Sequence, residues 1–95
     1  MGSNRIVFRT HAIQRMFERQ ISEKDVHGIL MDGEVIENYP DDLPYPSCLM
    51  LGWVMSRPLH VVLAENIEGK ERIIITVYEP SPIQWESDFK RRRTS

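Results

Sequence analysis

The 95-residue sequence contains a single cysteine, Cys48. An internal disulfide is therefore excluded, and a Cys-rich zinc site has no anchor. That usage suits a reducing, cytoplasmic setting. Long hydrophobic runs are missing as well. No stretch approaches the ~20 apolar residues that a membrane helix needs, so no membrane association is expected. The N-terminal residues lack the apolar core of a signal peptide. They also fail the myristoylation pattern, because Ile6 stands where Ser or Thr is required. A surplus of positive charge is absent too: 12 Lys and Arg against 14 Asp and Glu leave a net charge of −2. This argues against a surface coated in basic charge for nonspecific nucleic-acid binding. There is no Gly-rich phosphate loop, nucleophile elbow or metal-spaced histidine cluster, so no cofactor and no metal are expected.

What is there is a globular composition, 41% hydrophobic and 27% charged, at a length that makes one domain over residues 1–95. Ile6-Val7-Phe8 reads as a short strand. Thr10 is placed to cap a helix from His11 to Gln20, with Ala12, Ile13, Met16 and Phe17 on its apolar face. Ser22 and Asp25 have capping-box spacing, and Ile21 and Val26 sit at the positions of a hydrophobic staple. The second helix buries Val26, Ile29 and Leu30. It stops at Gly33, which is expected in a left-handed conformation. Glu34–Tyr39 is a strand, followed by a loop that three prolines keep out of any ladder. Cys48–Met55, Leu59–Glu65 and Arg72–Glu79 are further strands, joined by a Ser56-Arg57-Pro58 turn and a polar hairpin loop. In the second of these, Leu59, Val61 and Leu63 share one face and His60, Val62 and Ala64 the other. Ser81, Pro82 and Gln84 carry the signature of a short C-terminal helix, with Trp85 and Phe89 on one face. Trp53 and Trp85 are both expected in the core. The predicted fold is α+β, two N-terminal helices packed on a mostly antiparallel sheet of four to five strands.

Few side chains point to chemistry. His11, Arg15 and Arg19 recur every four residues and line the polar face of the first helix. Guanidinium groups suit phosphate through planar, bidentate donation, and histidine exchanges protons near neutral pH. The same stripe reads equally as a solvated face with Glu18 paired to its basic neighbours. His60 lies in an apolar strand, where a polar ring needs a partner or a task. It either faces a groove near His11 or is hydrogen-bonded within the fold. Tyr78 closes the last strand, where a phenol can stack on a base or assist proton transfer. Lys90, Arg91, Arg92 and Arg93 form a basic tail that fits either a helix C-terminus or phosphate.

The string Thr10-His11-Ala12-Ile13-Gln14-Arg15-Met16-Phe17-Glu18-Arg19-Gln20-Ile21-Ser22 resembles the H-A-x-x-R-M-x-x-R-x-I-s start of a family known only as a domain of unknown function. Gly33-Glu34-Val35-Ile36, Tyr39-Pro40-Asp41-Asp42, Tyr45-Pro46-Ser47, Pro58-Leu59-His60-Val61-Val62 and Ile74-Ile75-Thr76-Val77-Tyr78 extend the likeness along nearly the whole chain. That family in turn resembles the RelE/ParE-like and BrnT toxins. The resemblance implies a RelE-like domain and an RNA-directed activity. It also implies an antitoxin partner of the zinc-finger type. Carried onto this sequence, it implies His11, Arg15, Arg19, His60 and Tyr78 as the site. Overall acidity departs from the toxin pattern, since many ribosome-dependent toxins are basic.

Two functions are carried forward. One is a toxin-like, metal-independent endoribonuclease with His11, His60 and Tyr78 as catalytic groups and Arg15, Arg19, Lys90, Arg91 and Arg92 on RNA phosphates. It requires that the polar side of the first helix and the His60 strand open onto a common cleft. The other is a non-catalytic protein- or RNA-binding module of a two-protein complex.

Overall fold

The computed structural model describes residues 5–94. Its elements run β1 (Arg5–Phe8), α1 (Thr10–Glu18), α2 (Glu23–Asp32), β2 (Glu34–Tyr39), β3 (Ser47–Val54), β4 (Arg57–Asn66) and β5 (Glu71–Tyr78). The five strands form one sheet in the order β1-β5-β4-β3-β2. β2 through β5 pair antiparallel with their neighbours, whereas β1 runs parallel to β5. The architecture is thus α+β, two helices on a mixed five-stranded sheet. No helix among the described residues is long and apolar enough to cross a membrane.

Both helices pack on the same face of the sheet. Ala12 and Met16 of α1 and Val26, Ile29 and Leu30 of α2 meet Met50, Leu59, Val61, Leu63, Ile74 and Val77 in one core cluster. Strand alternation sends the intervening residues to the opposite face. There Leu49, Leu51, His60, Ala64 and Ile73 are also buried, and the chain after β5 folds back as an irregular strap over residues 80–94 that covers His60.

Local chemistry explains how the helices begin and end. Ser22 Oγ accepts from the Asp25 amide while the Asp25 carboxylate accepts from the Ser22 amide, 3.0 Å each, completing the capping box of α2. α1 has no such cap: Arg9 occupies the capping position without a side-chain bond, and Thr10 is the first helical residue. α1 ends in a Schellman turn. The Ile21 amide donates to the Met16 carbonyl at 2.8 Å and the Gln20 amide to Phe17 at 3.3 Å. Gln20 sits at a left-handed φ of 57°.

Gly33 is not left-handed; with φ −78° and ψ −176° it is extended. Glycine is needed there because a Cβ would lie 2.6 Å from the carbonyl oxygens of Ile29 and Leu51. The apolar face of α1 is narrower than its periodicity suggests, with Ile13 half-exposed and Phe17 exposed. Trp53 is exposed as well, whereas Trp85 is buried. The turn after β3 falls at Met55-Ser56, and Arg57 and Pro58 already belong to β4.

The C-terminal helix does not form. Ser81 does open a turn, since its hydroxyl accepts from Ile83 and its carbonyl accepts from Gln84 and Trp85. The chain then reverses through Phe89, at φ 58°, and Trp85 bridges to Arg92. A helix this short has little stability of its own. Burying the Trp85 indole against the sheet outweighs it, at roughly 3–5 kcal/mol for a ring of that size.

Candidate functional site

Five side chains with chemical capacity meet on the sheet face that the helices leave open. β2 carries Glu37 and Tyr39, β4 carries His60, β5 carries Tyr78, and the strap contributes Arg92. Their placement follows from register. Glu37 pairs with Leu49, Leu51 with His60, and His60 with Tyr78, so all project to the same side.

Two sub-clusters make up the site. In the first, the Glu37 carboxylate accepts from the Tyr39 hydroxyl and from Arg92 Nε and Nη2, each of the latter at 3.3 Å. The Arg92 guanidinium also lies 4.6 Å from the centre of the Trp85 ring, a cation–π arrangement. In the second, His60 is completely buried between Trp85 and Tyr78, edge-on to both, with centroids 4.5 and 5.3 Å away. Its Nε2 is 2.8 Å from the Phe89 carbonyl oxygen, and its Nδ1 is 3.2 Å from the Tyr78 hydroxyl. A carbonyl only accepts, so Nε2 carries the proton. Nδ1 is then the acceptor, and the Tyr78 hydroxyl donates to it.

The protonation states follow from these contacts. Hydrogen bonding from Tyr39 draws the Glu37 carboxyl below its usual range, with Arg92 adding to the effect against the opposing cost of burial. Burial pushes His60 below its ordinary value, although the Phe89 hydrogen bond and the charge of Glu37 oppose it. Burial raises Tyr78, and burial followed by Glu37 raises Tyr39. At neutral pH the face therefore holds an ionised carboxylate, a neutral imidazole, two protonated phenols and a guanidinium. The charges of Glu37 and Arg92 are felt at both His60 and Tyr78, so the two sub-clusters form one electrostatic unit.

The expected residues divide. His60, Tyr78 and Arg92 come together. His11, Arg15 and Arg19 do not join them: they lie on the exposed side of α1, with core hydrocarbon and the sheet between them and His60. A common cleft of His11 and His60 is thus not formed, because α1 spends its inner face on Ala12 and Met16 while His60 faces the strap. Arg15 pairs with Glu18 at 3.5 Å, as a solvated stripe would. In the tail, Lys90 pairs with Glu34 at 2.9 Å, Arg91 with Asp88 at 3.2 Å and Arg93 with Glu86 at 3.6 Å. Lys90 and Arg91 therefore hold acidic groups of the protein itself. Sequence reasoning missed Glu37 and Tyr39. Their i, i+2 spacing on a strand was the available signal, since it puts both on one face.

What fold and site define is a small α+β domain with an acid–base cluster on one sheet face. The DUF4258 family, a domain of unknown function, matches residues 8–79, and the chain belongs to that family. No curated protein and no solved structure matches it. The matched residues end at Glu79, so the strap lies beyond them.

Proposed function

We propose that the protein is a toxin-like, metal-independent endoribonuclease in which the absent His11–His60 cleft is replaced by a different reaction centre, the Glu37–Tyr39–His60–Tyr78–Arg92 cluster. The observation that carries this reading is the convergence of a carboxylate, a guanidinium, an imidazole and two phenols on one sheet face. Cleavage through the 2′-hydroxyl needs a base for that proton, a cation for the phosphorane charge and an acid for the leaving oxygen. Glu37, ionised at neutral pH, takes the 2′-hydroxyl proton. The 2′-oxygen then attacks phosphorus, and Arg92 balances the charge that builds on the phosphoryl oxygens. Tyr78, kept protonated by burial, turns its hydroxyl from His60 Nδ1 toward the departing 5′-oxygen and gives up its proton there. The products are a 2′,3′-cyclic phosphate and a 5′-hydroxyl. His60 holds the phenol in place through Nδ1.

Two helices against one face of a sheet, with the chemistry on the other, is also an arrangement compatible with the RelE/ParE- and BrnT-like resemblance. An antitoxin of the zinc-finger type is the partner this reading supplies. The α1 surface suits partner binding: exposed Ile13 and Phe17 stand one turn apart among Arg9, His11, Arg15 and Arg19.

Incubation of purified protein with RNA tests the assignment. Glu37→Gln and Arg92→Ala are expected to slow cleavage by at least ~100-fold, the scale of a lost general base or charge stabiliser. His11→Ala and Arg15→Ala should leave the rate intact. Equal cleavage by all four variants would remove the centre.

The burial of His60 and the pairing of the tail favour a second reading, a non-catalytic protein- or RNA-binding module of a two-protein complex. Undetectable cleavage by wild type together with retained RNA binding selects it. Binding through several phosphate contacts then weakens steeply with added salt, whereas apolar protein docking does not.

A further inference from the structure

The geometry points to residues 80–94 acting as a hinged lid that covers His60 and Tyr78 and opens as a unit to admit substrate. This inference rests on the reaction centre proposed above.

Three observations carry it. First, the strap's backbone hydrogen bonds close within the strap itself. Gln84 and Trp85 donate to Ser81, Phe89 to Glu86, Glu86 to Arg91 and Arg93 to Gln84. The Trp85–Arg92 bridge is internal as well. The strap is therefore a folded piece laid on the sheet, with no ladder extending the sheet into it. Second, its polar attachments to the body are few and made by side chains. The Phe89 carbonyl accepts from His60 Nε2, Arg92 donates to Glu37, and Lys90 pairs with Glu34. The two ion pairs keep substantial solvent exposure, so salt screens them readily. Third, the path out of β5 runs through Pro80-Ser81-Pro82, where two fixed φ angles flank one free residue and define a pivot.

What the strap covers gives the movement its meaning. With the strap seated, His60 has no exposed surface, and its ring is closed in by Trp85 and the Phe89 carbonyl. Lifting the strap uncovers the imidazole, the Tyr78 hydroxyl and the Glu37 carboxylate together. Arg92 travels with the lid, so the guanidinium reaches a phosphate only when the lid closes again. The closed form without RNA is consequently a resting state, with Arg92 neutralised by Glu37. The buried Trp85 indole is the strap's main apolar anchor, so the open form is a minor state reached by local opening while the rest of the domain stays folded.

Full-length protein tests this through a charge swap away from the reaction centre. Lys90→Glu sets two carboxylates against each other at the lid edge, and the double variant Lys90→Glu, Glu34→Lys restores attraction with the signs exchanged. Amide hydrogen exchange is followed over residues 80–94 and over β4, alongside cleavage of a single-stranded RNA. The lid is expected to exchange several-fold faster than β4. It should speed up further in Lys90→Glu and in added salt, then return toward wild type in the swap. RNA cleavage should follow opening and respond to Lys90→Glu by a several-fold change that the swap reverses. Exchange of the strap only together with β4, at one common rate, would overturn the lid. So would a Lys90→Glu variant with a loosened strap and unaltered cleavage. A strap that opens as described in a protein that cleaves no RNA would sustain the lid and bring down the nuclease reading alone.

Discussion

Gly52 has no room for a methyl group. A Cβ there would stand 2.7 Å from Ile29 Cγ2, so β3 and α2 approach as closely as a bare backbone allows. Gly52→Ala is expected to destabilise by roughly 1–3 kcal/mol, the range for overpacked cores. Pairing it with Ile29→Ala should give a double variant less destabilised than the sum of the two single changes. Urea midpoints of the three proteins measure this, and strict additivity would show that Ile29 is not the obstructing group. His60 shows the same economy in polar form. A buried ring is tolerable only when both nitrogens are satisfied, and here one nitrogen gives to Phe89 while the other receives from Tyr78.

Among the elements, the start and the buried face of α2 were legible in the sequence, while the conformation of Gly33 at its end and the strap were not. Ser22, Asp25, Ile21 and Val26 act within a few residues of one another, so their meaning needs no knowledge of the fold. Ser81, Pro82 and Gln84 carry equally good local signals for a helix, of which only the opening turn forms. What stops the helix is the distant sheet face waiting for Trp85. The candidate site divides along the same line. His60 and Tyr78 stand out as polar groups in apolar strands, while Glu37 on an edge strand reads as an ordinary solvated carboxylate until Arg92 is folded onto it. The parallel pairing of β1 with β5 was hidden for the same reason, since no local turn announces it.

Two expectations belong to the helices. Ser22→Ala should cost about 1 kcal/mol by removing the cap of α2. Gln20→Gly should stabilise by about 0.5–1 kcal/mol, because the left-handed φ at the end of α1 strains a side chain and not a glycine. Denaturant unfolding monitored by far-ultraviolet circular dichroism would reveal either sign. A Gln20→Gly protein less stable than wild type would mean that the glutamine side chain compensates its own strain.

For the molecule as a whole, acidity is the expected weak direction. His60 holds its proton less tightly in the fold than free imidazole does, so below about 6.5 the unfolded chain takes up protons that the native state refuses. Its contribution to stability is complete above that value and is lost as pH falls through the folded value. Glu37 acts in the same sense at lower pH: its ion pair is complete above about 4.3 and fades as the carboxyl protonates through its depressed folded value. The urea midpoint should therefore decline in two stages on acidification. His60→Gln should flatten the first stage, and an unchanged first stage in that variant would assign it to another group.

The sheet also imposes an order on assembly. Arg5 at the head of β1 lies beside Glu71, 66 positions later in the chain. During synthesis β1 therefore has no strand partner until β5 has emerged, and α1 and α2, 9 and 10 residues long, gain little helical stability until a sheet covers their apolar faces. Pairings between remote segments slow folding and lengthen the exposure of sticky surface. This protein's most vulnerable moment is thus the interval before β5 leaves the ribosome, when two amphipathic segments wait for an unfinished floor.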